Sequence, residues 1–189
     1  MILRHAEDLF AHYGFSKTSM ADIAERAGMS PGNLYRYYRN KQAIGVAVIE
    51  AFFADSRSAM LAAVASETDP EERVKALFRA GLLNMLAMMD RTPKIMELCE
   101  FLCAEDGPRH VLDRHIAWKR ARVEAELAEG MDAGAFARAP MPETAVDLMH
   151  CLKAFQMPQC LAEWRDKSTI MPEFEGVLQL VFRGVRAKG

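Results

Sequence analysis

A short segment near the amino end concentrates polar, aromatic and basic side chains. Asn33 carries an amide that can pair with the edge of an adenine, and Arg36 can reach a guanine or a phosphate. Tyr35 and Tyr37 offer hydroxyl groups to phosphates. Lys41 stands near a predicted helix start, where the helix dipole and the ammonium jointly attract phosphate. These residue types predict a surface that contacts double-stranded DNA.

Two short helices joined by a tight turn are predicted within residues 20–37. Ser19 and Asp22 form a capping-box-like start for the first helix, and Ser30 is a good N-cap for the second. Gly28 supplies the backbone freedom that the turn needs. This order of helix, turn and helix is typical of a helix-turn-helix head, which places the start of its second helix against base edges.

The start of the second helix is suited to close approach. Pro31 and Gly32 are flat or small, so the backbone itself can come near DNA. The chain carries a formal net charge of −2, which argues against indiscriminate coating of nucleic acid. Between Arg26 and Ile49, however, the chain has basic residues and no acid, so a local basic patch is predicted in the head.

The segment resembles the DNA-binding signature of the tetracycline-repressor (TetR) family. The family pattern is Thr-x-x-x-Ile-Ala, then Ala-Gly-x-Ser-x-Gly-x-Leu-Tyr-x-Tyr-aromatic, then x-x-Lys. It is matched by Thr18, Ile23, Ala24, Ala27, Gly28, Ser30, Gly32, Leu34, Tyr35, Tyr37, Tyr38 and Lys41. Tyr38 stands where Phe is commoner. The specific match covers the head, and the rest of the chain agrees in length and helical layout.

The resemblance implies an all-α fold of about nine helices and homodimers that bind palindromic operators. It implies DNA-contacting positions at Thr18, Pro31, Gly32, Asn33, Tyr35, Tyr37 and Lys41, with Arg36 as a variable reader. We expect a helix-turn-helix DNA-binding domain over residues 1–45 and a helical ligand-binding and dimerisation domain over residues 46–189.

The last two helices are the best candidates for a dimer interface. One is predicted from Pro142 to Gln156 and continues beyond Pro158, and the other opens at Pro172. Both have long apolar stripes, and pairing them across a two-fold axis would form a four-helix bundle. The alternative is that both stripes face the core of the monomer.

The middle helices are rich in methionine and cysteine, which suits a pocket for an apolar small-molecule effector. In the family the corresponding helices surround the effector cavity. The candidate lining residues are Met85, Met89, Met96, Cys99, Cys103, Trp118, Arg122, His150 and Phe155. Ligand binding is expected to change the spacing of the heads through the fourth helix. Ordinary core packing is the alternative for each of these side chains.

Other classes of function are less well supported by the sequence. No hydrolase elbow, phosphate loop, dinucleotide fingerprint or zinc-protease motif occurs, so an enzyme is not expected. No metal and no cofactor is expected, although Cys99 and Cys103 lie one helical turn apart. A metal- or redox-responsive regulator, or a DNA-binding protein without an effector, remains open.

Composition predicts a cytoplasmic protein with a substantial core. Apolar residues make up 51% of the chain, and the longest apolar runs are far shorter than a membrane span requires. The four cysteines form no CxxC pair, and reduced thiols are expected. No secretory signal pattern is seen, and no membrane partner is expected.

Overall fold

The structure is a computed structural model that describes residues 1–92, 94–141, 143–164 and 166–186. This part of the chain forms ten α-helices and no β-strand, which confirms the all-α prediction. The helices are α1 Ile2–Tyr13, α2 Met20–Arg26, α3 Pro31–Tyr35, α4 Lys41–Ala65, α5 Pro70–Arg91, α6 Ile95–Cys103, α7 His110–Asp132, α8 Glu143–Cys151, α9 Pro158–Ala162 and α10 Ile170–Val185. Short 3-10 turns cover Lys153–Gln156 and Lys167–Thr169. None of the helices described is long and apolar enough to cross a membrane.

The first compact unit comprises residues 1–55 and 86–115. Phe15, in the connection between α1 and α2, lies at the centre of its aromatic core. Its ring meets Phe10 of α1 edge-on at 5.1 Å and stacks on Phe101 of α6 at 4.8 Å. A Cβ at Gly45 of α4 would lie 2.8 Å from the Phe15 ring, so α4 packs here only because that position has no side chain. The head helices therefore share one core with the start of α4 and with α6.

The second compact unit comprises residues 56–85 and 116–189, described as far as residue 186. Many of its fully buried side chains come from α5, α7 and α10, including Phe78, Leu82, Leu127, Phe174 and Phe182. The helices α4, α5 and α7 each contribute residues to both units. The compact units therefore do not divide the chain at a single point, and the boundary near residue 45 stays a prediction about function.

Several helix ends differ from those predicted. The helix expected as far as Gln156 ends at Cys151 and is followed by a 3-10 turn, while its predicted start at Pro142 lies outside the described residues. The last helix begins at Ile170 and not at Pro172. Proline is accepted in a first helical turn because the N–H groups there have no partner within the helix.

Candidate functional site

The helix-turn-helix begins with the predicted capping box. The Ser19 N–H donates to Oδ2 of Asp22 at 2.7 Å, and the Asp22 N–H donates to Oγ of Ser19 at 3.2 Å. Hydrogen bonds from the Ser19 hydroxyl and backbone lower the pKa of Asp22 below its ordinary value. The first helix of the motif is therefore held at its start by reciprocal side-chain and backbone bonds.

The turn between α2 and α3 takes the form that Gly28 predicts. Gly28 has a φ of 67°, in the region that favours glycine. Its N–H donates to the Glu25 carbonyl at 3.0 Å, and the Met29 N–H donates to the Ala24 carbonyl at 2.9 Å, which is the Schellman arrangement. Ser30 then caps α3, because its Oγ accepts from the Asn33 N–H at 3.2 Å. Both the turn and the cap are confirmed.

The leading edge of α3 is open to solvent. Pro31 and Gly32 are exposed, Tyr35 is 54% exposed and Tyr37 is 65% exposed. Asn33 is half-buried, and its backbone is tied to the cap. The helix itself ends at Tyr35, and Arg36 and Tyr37 continue it as a tighter turn through bonds to carbonyls three residues earlier. Arg36 is exposed as well. A binding partner can therefore contact this edge without a rearrangement of the core of the head.

Two of the predicted DNA-contacting residues have partners inside the head. Thr18 is buried, and its hydroxyl donates to the Gly14 carbonyl at 2.8 Å. The Lys41 ammonium donates to the carbonyls of Phe15 at 2.8 Å and Ser16 at 3.2 Å, and it lies 4.7 Å from the centre of the Phe15 ring. Lys41 thus holds the connection between α1 and α2, and these bonds use two of the three N–H groups of its ammonium.

The head carries two further cations, Lys17, which sequence reasoning missed, and Arg39, which belongs to the predicted basic patch between Arg26 and Ile49. Lys17 follows the carbonyl that Lys41 holds, and Arg39 precedes Asn40, which caps α4 by accepting from the Ala43 N–H at 2.8 Å. Both cations are exposed, and within the described ranges neither forms an ion pair. The adjacency of Lys17 to turn residues was the signal that could have identified it.

Helix α6 is tied to the head by polar and aromatic contacts within the first unit. Oε2 of Glu97 accepts from the Ser16 N–H at 2.8 Å, and Nζ of Lys94 donates to the Tyr13 carbonyl at 3.0 Å. The bond from the Ser16 backbone lowers the pKa of Glu97. Together with the stacking of Phe101 on Phe15, these bonds fix α6 against the end of α1.

Four predicted effector-contacting residues lie in the first unit. Met89, Met96 and Cys99 are half-buried, and Cys103 is exposed. Burial raises the pKa of the Cys99 thiol to about 11, with smaller contributions from Cys103 and Glu100. Cys99 is therefore protonated at neutral pH, unlike the thiols of redox sensors. Within the described residues, no group of three His, Cys, Asp or Glu side chains is placed to hold a metal ion.

The other five lie in the second unit. Met85 and Trp118 are half-buried, Phe155 is buried and His150 is exposed. The guanidinium of Arg122 is half-buried and forms an ion pair with the carboxylate of Glu126 in its own helix. A separate groove of about 520 Å³, which the sequence did not predict, is lined by Cys160, Glu163, Trp164, Asp166, Thr169 and Glu173.

Lys119 is a buried cation that sequence reasoning missed. It is 4% exposed, its ammonium donates to Oε1 of Gln156, and it lies 4.8 Å from the centre of the Phe78 ring. Burial lowers its pKa to about 7. The spacing of Lys119 with Val123 and Leu127, at four-residue steps along α7, was the signal for burial, because both of these residues are in the core.

Comparison with known proteins agrees with the geometry of the head and extends beyond it. Residues 2–48 match the family model "Bacterial regulatory proteins, tetR family", and residues 70–178 match "Tetracyclin repressor-like, C-terminal domain". The chain is 31% identical over 148 residues to the HTH-type transcriptional regulator TtgR of Pseudomonas putida, covering 70% of this chain and 69% of that protein.

A second relative and a solved structure are also similar to the chain, at lower sequence identity. The HTH-type transcriptional repressor KstR2 of Mycobacterium tuberculosis is 24% identical over 149 residues, covering 79% of this chain and 72% of that protein. A transcriptional regulator from Cytophaga hutchinsonii has a similar fold, with a TM-score of 0.79 at 21% identity, covering 98% of this chain and 97% of that one.

Proposed function

The chain belongs to the TetR family of DNA-binding transcription regulators, and on this premise we propose that it is a ligand-responsive repressor. In this proposal a homodimer in the cytoplasm binds a palindromic operator and is released by a small, largely apolar effector. The observation that carries it is the capped helix-turn-helix whose leading edge is exposed. Members of this family regulate transcription and are not enzymes.

The residues of α3 and of the turn that follows it divide into two roles. Asn33 and Arg36 are proposed to read base edges in the major groove, whereas Tyr35 and Tyr37 are proposed to contact phosphates. Pro31 and Gly32, the first residues of the helix, allow its backbone to approach the duplex. Thr18 and Lys41 hold the connection on which the motif rests, and they are also proposed to contact DNA, Lys41 through a phosphate. Burial of Leu34 anchors α3 in the head.

The exposed face of α10 supports a dimer. Phe174, Leu178 and Phe182 of this helix are fully buried within the chain, so they are committed to its own core. Leu180 faces away from them and is 67% exposed. A leucine so exposed is more costly in water than in an interface. We propose that α8 and α10 form the dimer interface, with Leu180 near its centre.

The residues that contact the effector are proposed to be among the nine predicted from the sequence. Their methionine and aromatic side chains suit apolar ligands of irregular shape. Three of them, Met96, Cys99 and Cys103, lie on α6, and this helix also carries Glu97 and Phe101, which hold the head. A ligand that shifts α6 would therefore move the connection between α1 and α2. The raised pKa of Cys99 favours this role over thiol-based redox sensing.

Replacing Glu97 by alanine is expected to weaken the coupling between ligand and DNA. The variant loses the acceptor for the Ser16 N–H, and single residues along such connections change coupling by about 0.5–2 kcal/mol. The measurement is the ratio of operator affinity without the releasing compound to operator affinity with it. This ratio should be about 2- to 30-fold smaller in the variant than in the unaltered protein. Glu100→Ala, an exposed glutamate on the same helix, is the control. Equal coupling in all three proteins would contradict the role of α6.

Selection of bound duplexes from a random DNA pool tests the proposed function directly. We expect a palindromic sequence to be enriched, and a screen of small molecules to find a compound that releases it. Asn33→Ala should relax the choice of base at one position in each half-site, with a loss of about 1–3 kcal/mol of discrimination. Tyr13→Phe, at an exposed tyrosine outside the motif, serves as a control. Failure to enrich any sequence, or an equal loss for Asn33→Ala on every sequence, would contradict base reading.

A further inference from the structure

The interior of the second unit contains a lysine amine that no carboxylate of the described residues pairs with. Lys119 of α7 lies beside Phe78 and Gly81 of α5, Met60 of α4 and Gln156 of the 3-10 turn, and we call these five residues the Lys119 cluster. Within the ranges that the structure describes, no carboxylate forms an ion pair with Lys119. The amine is instead bonded to a neutral amide and lies over an aromatic ring.

A second buried lysine in the same unit shows how the fold stabilises such a charge when its role is structural. Lys75 has carboxylates from Glu71 at 2.5 Å and Glu72 at 3.0 Å. Burial alone lowers the pKa of Lys75, but these two carboxylates more than offset that effect, and its pKa lies above the ordinary value. Burying an amine without such partners opposes folding. The position of Lys119 is therefore better suited to an anion that comes from outside the chain.

Gln156 offers a second donor at the same place. Its Oε1 accepts from Lys119, whereas its Nε2 is buried and has no hydrogen-bond partner. A buried amide N–H without a partner is costly, and such groups are uncommon in folded proteins. The ammonium and this amide together present two donor groups, one for each oxygen of a carboxylate.

Gly81 gives α5 no side chain of its own beside Lys119, and the flexible side chain of Met60 covers this position. A Cβ at Gly81 would lie 3.6 Å from Nζ of Lys119 and 2.5 Å from Cε of Met60. The space above this glycine is thus filled by the end of a methionine, which has several rotatable bonds and adapts readily to a new neighbour. Movement of the Met60 side chain would open space beside Gly81 and Lys119.

We propose that Lys119 and Gln156 bind the carboxylate of the effector, and that the effector is an apolar carboxylic acid. This inference rests on the proposed function, since it assigns the chemical class of the ligand that the repressor senses. A carboxylate matches the single charge of Lys119, whereas a phosphate dianion would leave charge and oxygen atoms unsatisfied in an apolar interior. Arg122 is a weaker candidate for the same role because its guanidinium already pairs with Glu126.

Direct ligand binding without DNA tests this inference. The probes are straight-chain carboxylates of about two to ten carbons and the primary alcohols of equal length, a range chosen to fill part of an apolar pocket. Calorimetry should show that at least one acid binds about tenfold or more tightly than its alcohol, as expected for a charge-assisted hydrogen bond. Lys119→Met should abolish this preference and should not lower the melting temperature. Gln156→Glu, which places a carboxylate of the chain beside Lys119, should prevent acid binding.

The pH dependence separates a direct contact from a structural effect. A bound carboxylate raises the pKa of Lys119 from about 7, so above that pH Lys119 must take up one proton for each carboxylate that binds. Acid affinity should be constant between about pH 5.5 and 7 and then fall about tenfold per pH unit, while alcohol affinity stays level. Lys119→Met should remove this slope. Arg120→Met, an adjacent exposed cation on α7, should keep both the slope and the preference.

The inference is overturned if no acid binds more tightly than its alcohol to the unaltered protein, or if Lys119→Met retains the preference. Operator release by an uncharged compound that Lys119→Met does not affect would also overturn it, while leaving the proposed repressor function intact. Conversely, a protein that binds these acids through Lys119 but selects no DNA would overturn the proposed function alone.

Discussion

Replacing Leu180 by glutamate is expected to yield a monomer that binds operator DNA on the order of a hundredfold or more weakly. The substitution puts a charge at the centre of the proposed interface, where two copies face each other across the two-fold axis and cannot be hydrated. A separated head loses the effective concentration that its partner provides at the second half-site. Light scattering after gel filtration and operator titration would measure the two effects.

Leu83→Glu is the matched control for this experiment. Leu83 lies on α5 in the same unit and is 53% exposed, so the same change at this position tests whether an added surface charge is itself harmful. We expect Leu83→Glu to stay dimeric and to bind operator as tightly as the unaltered protein. If the Leu180→Glu protein remained dimeric, the proposal that α10 forms the interface would be contradicted.

The open face of α10 extends beyond Leu180. A Cβ placed at Gly176 or Gly184, one turn to either side, would meet no atom within 4 Å. The helix thus presents one exposed leucine between two positions at which another backbone can approach closely. This arrangement explains why Leu180 is the position at which a single charge should have the largest effect.

The largest loss of stability is expected for Glu126→Gln. The carboxylate of Glu126 is 1% exposed and accepts from Nε of Arg73 at 2.7 Å and from Arg122. Its neutralisation removes the carboxylate that the two guanidinium groups share, so that Arg73 keeps only the exposed Glu129 as an ion-pair partner. Breaking such a buried arrangement costs about 3 kcal/mol, at the lower end of the usual range because both arginines are partly hydrated. Thermal unfolding should shift down by about 6–12 °C for a chain of this size.

Glu129→Gln tests whether burial is the cause. Glu129 accepts from the same arginine, Arg73, at 3.2 Å, but its side chain is 64% exposed. Exposed ion pairs of this kind contribute about 0.2–1 kcal/mol, so we expect a shift of at most a few degrees. If Glu126→Gln and Glu129→Gln unfolded at the same temperature, the buried carboxylate would not have the stabilising role that its position indicates.

The local elements of the head could be predicted because their causes are local. The box of Ser19 with Asp22, the positive φ of Gly28 and the cap at Ser30 all agree with the structure. Each depends on hydrogen bonds between residues three to five positions apart, or on the conformational freedom of one glycine. Residue types at fixed spacing are enough to specify such features.

The end of α8 shows where periodicity stops being informative. Ala145, Leu148, Leu152 and Phe155 are all buried, as an unbroken helix would predict, yet the α-helix ends at Cys151. A 3-10 turn keeps these side chains on nearly the same face, so the apolar pattern fits both conformations. The consequence is functional, because the turn is the element that carries Gln156 to Lys119.

The sequence by itself determined the all-α class, the helix-turn-helix and the exposed edge of α3, since propensity, capping and period act over a few residues. Only the tertiary structure decided which polar groups are already engaged: Thr18 and Lys41 turn to carbonyls of the head, Arg122 to Glu126, and Lys119 to an amide 37 positions away. Burial and pairing of a charge depend on every element packed around it, and no spacing along one helix contains that information.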